Sequence, residues 1–106
     1  MSNKQLTLSE TLAADRVLTA AEFSAYGVID FDPAAARNVD LPAATTLGGQ
    51  QVLIRNSANA AETITLRLTG AGATVATIDQ NESALVFCHG TTAPTFTAVV
   101  LKVGAT

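Results

Sequence analysis

The chain has 106 residues, of which 48% are hydrophobic, 5% aromatic and 14% charged, with a formal net charge of −3. Its six Lys and Arg residues form no cluster, which argues against a nucleic-acid partner. No apolar run approaches the roughly 20 residues of a membrane helix, and the single cysteine, Cys88, excludes a disulfide within the chain.

The length suits one domain. A core drawn from Ala, Val, Leu and Ile with no Trp is thin, and association of copies is a common remedy for a thin core. A charged fraction of 14% against roughly 25% in ordinary soluble domains suits a surface partly buried in an assembly. The first ten residues, MSNKQLTLSE, lack the apolar stretch of a signal peptide, so synthesis in the cytoplasm is expected.

The apolar residues recur mostly with a period of two, which predicts strands. Leu6, Leu8 and Leu12 share one parity, so residues 1–14 read as an N-terminal arm or a first strand, and residues 15–106 as the body of the domain. Thr19 and Glu22 have the spacing of a capping box, which predicts a short helical turn that Ser24 and Gly27 soon end. Tyr26 to Asp32 reads as a strand stopped by Pro33. Val39 and Leu41 share a face of a short strand, and AATTLGG is a loop. QQVLIRN is apolar on both faces, which suggests a central position. Ile64, Leu66 and Leu68 alternate with Thr65, Arg67 and Thr69 in the cleanest strand. AGATVATID adds a short strand after a glycine turn. SALVFCH is again apolar on both faces, and TFTAVVLKV closes the chain. About eight or nine short strands separated by turns predict an all-β fold, a small antiparallel β-sandwich or jelly-roll-like barrel.

Residues able to carry chemistry are few. Cys88 and His89 are neighbours on a strand and point to opposite faces, so they form no nucleophilic dyad. Cys88 reads as a small buried hydrophobe. His89 reads as a polar residue at a strand end; only symmetry would gather copies of it around a metal. Asp30 and Asp32 share a strand face and read as solvent-facing residues before a turn, rather than as an acid pair or a Ca²⁺ site. Asp79, Asn81 and Glu82 form a polar turn without the spacing of a Ca²⁺ loop. Gly70-Ala71-Gly72 lacks the Lys-Ser/Thr ending of a phosphate loop, and no Gly-x-Ser-x-Gly elbow occurs. Neither an enzyme, a cofactor nor a bound metal is expected.

The order of the pieces carries more than any one of them. Leu18-Thr19-Ala20, the strand Val28 to Phe31, Val39-x-Leu41-Pro42, Gly48-Gly49, Val52 to Asn56 and Thr63-Ile64-Thr65 follow one another, then Asn81-Glu82-Ser83 and Phe96 to Val100. Over residues 15–101 this resembles a module common in structural proteins of tailed bacteriophages. The resemblance implies a small β-sandwich, usually trimeric, found in fibre and spike proteins and in proteins that decorate capsids. Family members often carry Trp near the last strand, where this chain has Phe96.

A fibre protein joins such a module to a shaft, an adaptor or a tip. A module with only a short arm is expected instead to be a capsid decoration, or cement, protein: a homotrimer on the outer capsid surface of the virion that bridges neighbouring subunits of the major capsid protein. The alternative is a tail-fibre or receptor-binding tip that recognises a host glycan. The arm residues Ser2, Asn3, Lys4, Gln5, Leu6 and Leu8 are the candidate capsid contact, by strand addition. Phe96 and Leu101 are the candidates for packing between subunits, although for either alone packing in the core of its own chain is the better reading.

Overall fold

A computed structural model of the chain describes residues 6–102. The strands are β1 (Leu6–Leu12), β2 (Arg16–Val17), β3 (Tyr26–Pro33), β4 (Arg37–Asp40), β5 (Gln51–Asn56), β6 (Ile64–Arg67), β7 (Thr74–Ile78), β8 (Ser83–Cys88) and β9 (Phe96–Leu101). The short helix α1 (Ala20–Ala25) lies between β2 and β3. The Thr19 side chain accepts from the Glu22 N–H, and the Glu22 side chain accepts from the Thr19 N–H, so the capping box forms as its spacing predicts.

The described strands make two sheets. The first has the order β1-β3-β5-β8-β9 and the second β2-β4-β6-β7. Up to β6 the chain crosses between sheets at every step, and it returns to each sheet only after a full circuit. Strands reached that way run in the same direction, so β1–β3, β3–β5, β2–β4 and β4–β6 are parallel. The chain then reverses, and β5–β8, β6–β7 and β8–β9 are antiparallel.

Both sheets are therefore mixed, which corrects the expectation of an antiparallel fold. The physical reason lies in the connections. Ala34-Ala35-Ala36, between β3 and β4, has none of the residues that favour positive φ in a tight hairpin. The two hairpins that do form carry them: Gly70 and Ala71 have φ of 71° and 56° between β6 and β7, and Gly90 has φ of 124° between β8 and β9. The one strand with no counterpart in the sequence pattern is β2, too short to show a period.

One buried cluster draws from both sheets. Ile29, Phe31 and Ile54 of the first meet Val39, Ile64 and Leu66 of the second, all fully buried. From α1, Phe23 packs edge-on against Phe96, with ring centroids 5.7 Å apart and planes at 74°.

Polar side chains tie the structure where strands end. Asn56 is fully buried at the end of β5. Its Nδ2 donates to the Ile78 carbonyl at 2.9 Å and the Glu62 carbonyl at 2.8 Å, and its Oδ1 accepts from the Ala58 N–H at 3.0 Å. Arg67 Nε donates to Asp40 Oδ1 at 2.7 Å, while Asp40 Oδ2 accepts from the Ala71 N–H.

Candidate interaction surface

Side chains alternate along a strand, so the register of the first sheet sorts its residues into an inner and an outer face. Inward go Ile29, Ile54, Ala84 and Val86, all fully buried. Outward go Val28, Leu53, Leu85 and Val99. Val28 lies opposite Leu53, Leu53 opposite Leu85, and Leu85 opposite Val99. They form one aliphatic row across four strands. Phe87 on β8 and Leu101 on β9 extend it on either side. Val99 is 48% and Leu101 46% exposed, and the more central Val28, Leu53, Leu85 and Phe87 are half-buried by their neighbours in the sheet.

This row is what the two-faced apolar pattern of β5 and β8 amounts to. The sequence pattern correctly places β5 at the centre of its sheet. Strands apolar on both sides are ordinarily covered on both sides. Here the second sheet covers one side only.

Beside the row, Asp30 and Arg55 lie opposite each other on β3 and β5. They form no ion pair, and Asp30 Oδ1 is buried without a hydrogen-bond partner. Asp32 pairs in register with Thr11 and is half-buried.

The candidate arm falls partly outside this account: Ser2, Asn3, Lys4 and Gln5 lie outside the described residues. Leu6 and Leu8 are in β1, the edge strand of the first sheet, one side of whose backbone pairs with no strand among the described residues. Leu6 is 64% exposed, whereas Leu8 packs against the core. An edge strand with free N–H and C=O groups can accept another strand. Of the two candidates for packing between subunits, Leu101 is on the outer face. Phe96 is 7% exposed and packs against Phe23 in the core of its own chain.

The remaining polar residues are spent on structure. Cys88 is buried, and the His89 ring nitrogen Nε2 lies 2.6 Å from Thr97 Oγ1 at the exposed surface. Glu82 closes the turn between β7 and β8 by accepting from the Asp79 N–H at 3.0 Å and from Lys102 Nζ. Asn81 in that turn has φ of 65°, which an asparagine tolerates.

Arg16, at the start of β2, donates to Glu10 at 2.8 and 3.0 Å and to Glu22 at 2.9 and 2.7 Å. Its guanidinium holds the Glu22 carboxyl down at about 2 and lowers that of Glu10. Where β7 meets β9, an open groove of about 450 Å³ is lined by Leu68, Thr74, Val75, Pro94, Phe96 and Ala98 among others, and by no titratable side chain. Among the described residues no three of His, Cys, Asp and Glu gather as for a metal, and no helix is long and apolar enough to cross a membrane.

Comparison with protein-family models, curated proteins and solved structures finds no match.

Proposed function

We propose that the chain acts by binding rather than by catalysis, as a capsid decoration protein: a small β-sandwich that sits on the outside of a phage head as a trimer and bridges neighbouring capsid subunits. The observation that carries this reading is the uncovered apolar face of the first sheet, built on strands whose sequence is apolar on both sides. A surface of that kind gains free energy by being covered, and an assembly is what covers it. The open edge of β1 supports the reading from a second side, because strand addition there supplies directional contacts to a capsid protein.

The mechanism is mass action. A protein that binds the assembled shell and not its separated subunits stabilises the shell by the free energy of binding. The test is copy number per virion, measured by quantitative mass spectrometry against the major capsid protein. Copies in fixed proportion to the capsid protein are expected. A handful of copies tracking tail proteins would assign the chain to a fibre or receptor-binding tip instead. Absence from virions would sink both.

A further inference from the structure

We infer that the outer face of the first sheet, centred on Leu53, Leu85 and Val99, is where a second copy of this chain packs. Such packing joins two copies face to face; it is argued from the face alone and does not rest on the trimer proposed above.

Three observations select a copy as the occupant. The first is size. Five strands at about 4.8 Å and six residues at about 3.3 Å make a face of roughly 24 by 20 Å. Two such faces together bury on the order of 1,000 Å², where specific interfaces begin. The second is shape and chemistry. The row Val28, Leu53, Leu85 and Val99 is an aliphatic strip on a sheet, and a second strip of the same side chains can lie against it.

The third is charge. Asp30 and Arg55 are adjacent on this face, and neither forms an ion pair among the described residues. A face that carries one such carboxylate and one such guanidinium is complementary to itself. A copy brings an arginine for Asp30 and a carboxylate for Arg55, so packing satisfies both. A uniformly acidic or basic partner would satisfy one and repel the other.

The experiment measures the mass of the full chain by sedimentation equilibrium over a range of concentrations. It is repeated on Val99→Glu, on Leu85→Glu, and on Leu6→Glu as a control at an exposed leucine off this face. Thermal melts followed by circular dichroism identify folded variants. Val99 is half-exposed on an edge strand, so its variant keeps the core intact even if Leu85→Glu does not fold. The expected result is an assembled wild type, an unchanged Leu6→Glu, and a folded Val99→Glu whose dissociation constant rises by about 10-fold or more, as an unpaired charge buried within an interface does.

A wild type that is monomeric at about 100 µM, a concentration that populates even weak specific pairs, overturns the inference. So does a Val99→Glu that is as assembled as the wild type. So, too, does a variant that loses shell binding while its mass stays unchanged, which would hand the face to the capsid protein. The decoration reading fails separately: a chain that assembles through this face and is absent from virions leaves the inference standing and removes only the proposed role.

Discussion

Arg16 and Glu22 face each other through two parallel hydrogen bonds, Nη1 to Oε1 at 2.9 Å and Nη2 to Oε2 at 2.7 Å, while Arg16 Nε and Nη2 also reach Glu10. One guanidinium thus ties the edge strand β1 to the start of α1. The same Glu22 caps the helix through Thr19.

That arrangement sets the acid response of the fold. The Glu22 carboxyl titrates at about 2 in the folded chain against 4.5 as an ordinary glutamate, because its hydrogen bonds to Arg16 favour the charged form more than burial opposes it. A depressed carboxyl contributes stability that is complete above its unfolded value and lost as pH falls toward its folded one. Stability is therefore expected to decline from about pH 4.5 down to about pH 2, with Glu10 adding in the same direction. In Glu22→Gln the free energy of unfolding in urea should fall by about 1–2 kcal/mol at pH 7, through loss of the ion pair and of part of the cap. The decline below pH 4.5 should become shallower. Urea unfolding at a series of pH values measures both, and an unchanged pH slope in the variant would contradict the assignment.

Asn56 is the hub between β5 and β7, with both amide hydrogens and its oxygen bonded inside the protein. Replacement by Leu leaves the Ile78 carbonyl and the Ala58 N–H without their partner, at an expected cost of about 2–4 kcal/mol. Asn56→Asp should be no better, because a carboxylate cannot donate to the Glu62 and Ile78 carbonyls. Chemical denaturation of the two variants checks this, and an aspartate variant as stable as the wild type would show that the carbonyls find another donor.

Phe96→Ala removes half of the Phe23–Phe96 pair and opens a cavity in the core, for an expected loss of about 3–5 kcal/mol. Phe96→Leu should lose appreciably less. A double-mutant cycle with Phe23→Leu and Phe96→Leu should show a coupling of about 0.5–1.5 kcal/mol, as aromatic pairs do. Since Phe96 packs inside its own chain, Phe96→Leu should keep the assembly state of the wild type, read by sedimentation. A loss of mass with full thermal stability would return Phe96 to the interface.

The buried Cys88 thiol offers a probe of opening that needs no mutation. A thiol-specific reagent should label it slowly in the native protein and at once in denaturant, and the native rate should rise with urea as the opened population rises. Rapid labelling without denaturant would mean that β8 opens locally.

The elements themselves were legible because their signals are local. Alternation in 64–68 and the Thr19–Glu22 spacing each depend on a few adjacent residues, and both features form as read. Strand direction is not local. It depends on which sheet the chain enters after each turn, and the clue was negative: the absence of hairpin residues in Ala34-Ala35-Ala36. Two-residue β2 was invisible because two residues cannot display a period. The candidate surface was legible in part. The two-faced apolarity of QQVLIRN and SALVFCH was plain, but the row Val28–Leu53–Leu85–Val99 needs the cross-strand register, which joins residues about 14 to 32 positions apart. The choice between core and interface for Phe96 was open for a related reason: its contact with Phe23 joins residues far apart in the chain.

The alternating path has an evolutionary consequence. A circuit of 25 residues separates Ile29 from its neighbour Ile54, and one of 27 separates Val39 from Leu66. Each circuit lays one strand on either sheet, so both sheets lengthen together or not at all. A single inserted residue within β4 would turn every later side chain of that strand inside out. An insertion of a whole circuit between β2 and β3 would leave every existing face as it is and widen each sheet by one strand. Change in such a chain is quantised: its natural unit of growth is the loop around the core, not the residue.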